Sequence, residues 1–140
     1  MRRYVSLVLG LCAVGVCVDA LTQEQVSQFG ALHEKCIQET GVDPNLLARA
    51  QKGEALDDRK VQCFGACLLQ GMNIMDASGA FSKENAVALA PENFFRGSIV
   101  EMINTCGDQK GADACETAGK VFECMNGSVV FGVLKTALGM

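Results

Sequence analysis

Residues 58–71 read Asp-Arg-Lys-Val-Gln-Cys-Phe-Gly-Ala-Cys-Leu-Leu-Gln-Gly, and this stretch decides the fold. Its apolar residues recur at three-to-four spacing between a capping Asp and a terminating Gly, which predicts an α-helix. Cys63 and Cys67 lie on one face of that helix, with Cβ atoms about 5–6 Å apart, whereas a disulfide needs about 3.5–4.5 Å. We therefore expect each of these cysteines to bind a different segment of the chain.

The N-terminus indicates the compartment in which the cysteines reside. Two arginines open the chain, residues 4–18 form a run without charge, and residues 18–20, Val-Asp-Ala, fit a signal-peptidase site. The run is shorter than the roughly 20 residues of a membrane span. We predict that residues 1–20 are a secretory signal, with an uncleaved anchor as the alternative. Residues 21–140 are then one secreted, extracellular domain without stable membrane insertion.

The cysteine count predicts disulfides. Cys12 and Cys17 belong to the predicted signal, so six of the eight cysteines remain, and an even number in an exported chain favours three disulfides. Cys115 and Cys124 fall about 13.5 Å apart along one helix and point to opposite sides, so they do not pair. Excluding this pair and the pair within residues 58–71 leaves ten of the fifteen pairings open. Zinc is the alternative, but no C-x-x-C pair exists and we expect no metal.

Helix signals recur along the rest of the chain, and alternating strand patterns are scarce. We predict an all-α, disulfide-stapled domain of six helices with a non-helical or weakly structured tail at residues 128–140. The helices are expected from Thr22 to Gly41, Pro44 to Gln51, Asp57 or Asp58 to Gly71, Ser82 to Leu89, after Pro91 through Phe95 to Cys106, and about Ala112 to Met125. In the tail, residues 129–134 match an alternating strand best.

Composition excludes several functions. The chain has 12 basic and 16 acidic residues and a net charge of -4, so no positive field is available to bind nucleic acid. His33 is the single histidine and the mature cysteines are expected to pair, so we do not expect a Ser/His/Asp or Cys/His assembly. We predict no enzyme and no cofactor. A calcium loop starting at Asp76 fails because Val87 stands at the twelfth position, where Glu is required.

The six remaining cysteines are spaced C-x26-C-x3-C-x38-C-x8-C-x8-C, which resembles the six-cysteine insect odorant-binding proteins, including the pheromone-binding and general odorant-binding proteins. Residues 67–79, Cys-Leu-Leu-Gln-Gly-Met-Asn-Ile-Met-Asp-Ala-Ser-Gly, and residues 115–118, Cys-Glu-Thr-Ala, are also similar to the family. The resemblance implies six helices around an apolar cavity that carries a small hydrophobic volatile or fatty ligand. An olfactory receptor and a homodimer are candidate protein partners. The disulfides that it implies are Cys36–Cys67, Cys63–Cys115 and Cys106–Cys124.

Ligand selection in such a carrier depends on pocket shape and a few polar groups. The apolar residues expected on inward helix faces are Phe29, Leu68, Met72, Ile74, Phe94, Ile99, Met102, Ile103, Phe122 and Met125. An apolar chain end is expected to fold into or over the pocket, which adds Val130, Phe131, Val133 and Leu134. Beyond residue 20 the chain has no Tyr or Trp to bind a polar head group, which favours an esterified, aldehydic or hydrocarbon-like ligand.

Two further residues are candidates for regulation and modification. His33 is a candidate pH switch for ligand release, because the unperturbed pKa of a histidine side chain lies near neutrality, with a plain surface histidine as the alternative. Asn126-Gly-Ser matches the glycosylation acceptor pattern, but Asn-Gly is also a common helix stop.

Two alternatives to an odorant or pheromone carrier remain. One is a carrier of the same fold for non-olfactory lipophilic ligands in another secretion. The other is a disulfide-stapled inhibitor or toxin that binds a protein and has no ligand cavity.

Overall fold

The computed structural model describes residues 23–54, 56–90, 92 and 94–137, and the predicted secretory signal lies outside this part of the chain. Seven helices occur within the described residues: α1 Gln23–Thr40, α2 Pro44–Gln51, α3 Arg59–Gly71, α4 Lys83–Leu89, α5 Arg96–Cys106, α6 Ala114–Asn126 and α7 Val129–Ala137. Among these residues the β-structure is limited to an isolated bridge between Met75 and Phe81. The all-α fold and the six predicted helices are confirmed, but α5 begins at Arg96, so Phe95 precedes the helix instead of lying within it. None of the described helices is long and apolar enough to cross a bilayer.

The tail forms a seventh helix, so the prediction of a non-helical tail is wrong. On α7, Val130 is buried, Phe131 and Lys135 are half-buried, and Val129 is 89% exposed. Valine-rich residues favour a strand locally. A helix, however, places Phe131 and Lys135, four residues apart, on one face that packs inward. Packing against the rest of the domain therefore decides the conformation of the tail.

Side-chain caps fix where four of the helices begin. Each cap accepts a hydrogen bond from a backbone N–H in the first turn, and such a cap stabilises a helix by about 1 kcal/mol. The caps of α2, α3, α4 and α6 are Asp43, Asp58, Ser82 and Asp113. Pro44 occupies the first position of α2, where an N–H would have no helical partner.

An ion pair joins the start of α3 to the start of α6. Arg59 donates from Nη1 and Nη2 to the two carboxylate oxygens of Asp113, at 2.9 and 2.7 Å. The guanidinium, followed by the backbone N–H of Glu116, lowers the pKa of Asp113 from 3.8 to about 2. The same carboxylate therefore caps α6 and binds α3.

Three disulfides fasten the helices to one another. Cys36–Cys67 joins α1 to α3, Cys63–Cys115 joins α3 to α6, and Cys106–Cys124 joins α5 to α6, with Cα atoms 5.7, 4.3 and 5.6 Å apart. This is the pairing that the family resemblance implies, and one of the ten that helix geometry left open. Because α3 and α6 each carry two of the bonded cysteines, this helix pair is the centre of the covalent frame.

Glycines let α3 and α6 approach closely. A Cβ atom on Gly65 would lie 2.9 Å from Cε2 of Phe122, and a Cβ atom on Gly119 would lie 2.7 Å from Cγ of Gln62. Both distances are shorter than a normal contact between carbon atoms. The short distance between α3 and α6 therefore depends on glycine, which has no side chain, at both positions.

The buried apolar residues form two main clusters and a smaller one. The first cluster joins α1, α2 and α3 and includes Phe29, Leu47, Val61, Phe64 and Leu68. The second joins α4, α5, α6 and α7 and includes Ala86, Ile99, Met102, Ile103, Val121, Met125 and Val130. The smaller cluster lies between α3 and α6 and includes Ala66, Leu69 and Ala118.

Candidate ligand-binding site

A cavity of about 60 Å³ lies between α2, α3, α6 and α7, and we name it the inner cavity. On α3 the wall residues recur at positions 61, 64, 65 and 68, which is the spacing of one helix face. Disulfides join α3 to α1 and α6, so they fix the position of this face. The apolar wall consists of Leu47, Ala50, Leu56, Val61, Phe64, Gly65, Leu68, Gly119, Phe122 and Phe131.

Polar groups occupy part of the lining. Gln51, Asn126 and Lys135 converge there, and we name these three residues the polar edge. Nζ of Lys135 donates to the backbone carbonyl of Gln51 at 2.6 Å and to Oδ1 of Asn126 at 3.3 Å. Elsewhere in the lining, Nε2 of Gln62 donates to the carbonyl of Leu56 over a longer distance of 3.4 Å. A molecule in the inner cavity would therefore meet N–H donors beside an apolar wall.

Lys135 fastens the end of the chain across the inner cavity. Its partner Gln51 lies 84 residues earlier, at the end of α2. The ammonium group also lies 5.4 Å from the centroid of the Phe131 ring, one helical turn earlier on α7, which is within the range of a cation–π contact. These contacts make α7 one wall of the cavity.

A larger, open groove of about 530 Å³ lies between α5, the end of α6 and α7, and we name it the outer groove. Val129, Val130 and Val133 of α7 line the outer groove, whereas Phe131 and Lys135 line the inner cavity. At 3.6 residues per turn these two sets point in opposite directions. α7 therefore separates the two spaces. The other residues that line the outer groove are Phe95, Ser98, Glu101, Met102, Thr105, Cys106, Cys124, Gly127 and Ser128.

The predicted ligand-binding residues are divided among several places. Those that line the inner cavity are Leu68, Phe122 and Phe131. Those that line the outer groove are Met102, Val130 and Val133. Those in or against the buried clusters, away from both spaces, are Phe29, Met72, Ile74, Ile99, Ile103 and Met125. Phe94 is 94% exposed and contacts neither space, and the side chain of Leu134 lies outside the described residues.

The residues of α2 and the polar edge were not predicted from the sequence. Leu47 and Ala50 lie three residues apart on α2, and this spacing is a signal of one helix face. Lys135 follows Phe131 by four residues, which places both on one face once the tail is taken as a helix. Gln51 gave no signal because its contact with Lys135 uses a backbone carbonyl, which every residue has.

His33 lies behind the cavity wall. It is half-buried on α1, and the centroid of its ring lies 5.1 Å from that of Phe64, in an edge-to-face contact, and 6.2 Å from that of Phe29. Phe64 in turn lines the inner cavity. His33 therefore contacts the site through one aromatic ring.

The described residues around the inner cavity offer an apolar wall and N–H donors. Within residues 23–54, 56–90, 92 and 94–137, no three His, Cys, Asp or Glu side chains are grouped to hold a metal ion, and every cysteine is in a disulfide. An apolar wall with hydrogen-bond donors beside it can enclose and orient a small, mainly apolar molecule.

A disulfide-fastened helical domain around such a cavity defines a class of ligand-binding protein, and comparison with known proteins identifies the family. Residues 18–127 match the PBP/GOBP family, so the chain belongs to this family of insect odorant-binding proteins.

Individual relatives support the assignment. General odorant-binding protein 69a of Drosophila melanogaster is 25% identical over 118 residues, which are 81% of this chain and 79% of that protein. An odorant-binding protein of Locusta migratoria has a TM-score of 0.74 at 21% identity, over 85% of this chain and 94% of its own. An odorant-binding protein of the medfly has a TM-score of 0.67 at 33% identity, over 79% of this chain and 97% of its own.

Proposed function

We propose that the protein is a secreted carrier that binds small hydrophobic molecules, such as odorants or pheromones, in the inner cavity and releases them unchanged. The observation that supports this best is an apolar cavity beside the covalent centre of the fold, with α7 as a wall. Protein interiors are normally close-packed. An apolar space between helices that disulfides hold in position therefore suits a ligand.

The proposed location is extracellular. Three interhelical disulfides are typical of proteins in an oxidising compartment. The uncharged run that follows the N-terminal arginines supplies the export signal.

Movement of α7 would give the ligand room. The inner cavity, at about 60 Å³, is smaller than the roughly 300–1,000 Å³ of typical ligand pockets. If α7 shifts toward the outer groove, the inner cavity grows and the groove fills. The shift would bury Val129 and Val133, now 89% and 44% exposed, and their burial would offset the lost hydrogen bonds of Lys135.

This proposal gives the predicted residues different roles. Leu68, Phe122 and Phe131 contact the ligand in the inner cavity. Met102 forms part of the groove surface that receives the moving helix, and Val130 and Val133 lie on the face of α7 that packs into it. The predicted residues within the buried clusters support the wall without contacting the ligand.

Phe131 on α7 and Phe94, which precedes α5, provide a matched pair of positions for testing the site. The chain beyond residue 20 has no Trp, so the assay is displacement of a neutral fluorescent probe. Phe131→Ala removes a ring from the cavity wall, and we expect probe affinity to fall about tenfold, since partial burial of a Phe contributes about 1–2 kcal/mol. Phe94→Ala, at a side chain 94% exposed, should leave affinity unchanged. Equal affinities for the two variants would contradict the proposed site.

Removal of residues 129–140 tests the role of α7 as a wall. We expect weaker uptake of the probe, because the truncation deletes Phe131 and the contact between Lys135 and Gln51. Circular dichroism checks that the remaining helices persist. Unchanged uptake by a folded truncated chain would show that α7 does not close the cavity.

The alternative functions give different results in the same assays. An inhibitor or toxin that binds a protein predicts no uptake of the probe by the intact chain. A carrier in a non-olfactory secretion predicts uptake together with expression outside olfactory tissue. Native mass spectrometry of protein purified from tissue would identify the bound molecule. The receptor partner and the homodimer stay predictions, and sedimentation analysis tests the second.

The pH switch at His33 also stays a prediction. Protonation would place a charge against the Phe64 ring that forms part of the cavity wall. If this charge promotes release, His33→Ala will flatten the dependence of ligand affinity on pH between about 5 and 8. An unaltered pH profile would exclude His33 from release.

A further inference from the structure

The lining of the inner cavity contains one formal charge. Among the described residues that line it, only Lys135 is ionic, and the others are apolar or carry neutral amides. Its ammonium group is partly buried and donates to two neutral oxygens, the carbonyl of Gln51 and Oδ1 of Asn126. Within the described part of the chain, no carboxylate lies at ion-pair distance from Nζ, and the six ion pairs there use other side chains.

Such an ammonium group has unused binding capacity. It carries three N–H donors, and a hydrogen bond to an ionised carboxylate is roughly twice as strong as one to a neutral oxygen. A ligand carboxylate that reached the polar edge would therefore be a better partner for Lys135 than the carbonyl of Gln51. The side-chain amide of Asn126, whose Oδ1 accepts from Lys135, can donate further N–H groups.

We infer that the ligand is a carboxylic acid with an apolar chain, whose carboxylate binds Lys135 while the chain lies against the apolar wall. This inference rests on the proposed carrier function and names its ligand class. It differs from the expectation, drawn from the missing Tyr and Trp, of an esterified, aldehydic or hydrocarbon-like ligand.

The same contact would connect binding to the movement of α7. Lys135 holds α7 to the end of α2 through the Gln51 carbonyl. A bound carboxylate replaces that carbonyl as the partner of the ammonium group. α7 is then released from α2 and held to the ligand instead.

The test compares an acid with its own methyl ester, so that the chain is constant and only the charge differs. Dodecanoic acid and methyl dodecanoate each displace a neutral fluorescent probe from the oxidised protein at pH 8. We expect the unmodified protein to bind the acid about tenfold or more tightly than the ester. Lys135→Met should weaken binding of the acid about tenfold more than binding of the ester, so that the preference is lost, and Lys135→Arg should keep the preference.

Lys120→Met is the matched control, because it removes the same charge from the exposed face of α6 and should leave the preference intact. Equal binding of acid and ester by the unmodified protein would overturn the inference, and so would a preference that survives Lys135→Met. An equal loss of both ligands in Lys135→Met would assign Lys135 a structural role alone and also overturn it. Failure of the unmodified protein to bind the probe at all would instead refute the carrier function.

Discussion

Gly65→Ala and Gly119→Ala add the same methyl group to the two facing helices α3 and α6, and the structure predicts opposite outcomes. Alanine in a helix interior is favoured over glycine by about 1 kcal/mol, so each variant starts with an equal gain. The difference comes from what the new methyl group meets. At Gly65 it meets the ring of Phe122, with Cε2 at 2.9 Å and Cδ2 at 3.0 Å. At Gly119 it meets the side chain of Gln62.

The change in the free energy of unfolding of each variant depends on how easily the neighbouring side chain can move. Overpacking a well-packed interior costs about 1–3 kcal/mol. The Phe122 ring packs against the cluster between α3 and α6, and the centroid of the Phe131 ring lies 6.1 Å away. We expect Gly65→Ala to lower the free energy of unfolding by about 1 kcal/mol, because the cost of overpacking exceeds the gain in helix propensity. Gln62 is half-exposed and makes a hydrogen bond of 3.4 Å, so it can rotate away. We expect Gly119→Ala to be between neutral and about 1 kcal/mol more stable.

Urea unfolding of the oxidised variants measures the difference, as a shift of the midpoint at constant m. Displacement of the fluorescent probe supplies a second readout, because Gly65 and Phe122 both line the inner cavity, so the added methyl group narrows it and should weaken binding. The reasoning fails if Gly65→Ala is as stable as Gly119→Ala, or if both bind the probe like the unmodified protein.

Three further predictions concern other parts of the molecule. The pKa of Asp113 is lowered to about 2 by Arg59, so the ion pair stabilises the fold above pH 3.8 and is lost as the pH falls toward 2. Asp113→Asn, which can still cap α6, should show a shallower fall of Tm over that pH range. If Tm depends on pH as in the unmodified protein, the Arg59–Asp113 ion pair does not contribute to stability. Replacing Cys63 and Cys115 by Ala opens a loop with a sequence separation of 52 residues, which should lower the free energy of unfolding in urea by about 4 kcal/mol. A loss below about 1 kcal/mol would contradict this prediction. Asn126 should carry no glycan, because its amide lines the cavity and accepts from Lys135, and the intact mass of the secreted protein decides this.

Local sequence signals predicted where several helices begin and excluded some disulfide pairings. The starts of α2, α3 and α4 were visible because capping side chains such as Asp43 and Ser82 act on backbone N–H groups of their own first turn. The exclusion of the Cys63–Cys67 pair followed from helix geometry alone. The choice among the remaining pairings needed the family resemblance, since it depends on how helices pack.

The tail and the site were harder to predict because tertiary contacts decide them. The valines of the tail favour a strand in isolation, and only contact with α2 and α6 makes the helix the better conformation. Leu68 and Ile99 both lie on apolar helix faces, yet Leu68 lines the inner cavity and Ile99 is core. Periodicity identifies a buried face but not whether the neighbouring volume is filled.

The distribution of the disulfides has a consequence for how this fold diversifies. α3 and α6 are held by covalent bonds, whereas α2 and α7, which supply the facing parts of the cavity wall, contain no cysteine. Substitutions on α2 and α7 can therefore change the shape and charge of the cavity while the covalent frame stays intact. We expect descendants of one ancestral chain to acquire new ligands mainly through changes at residues 44–51 and 129–137.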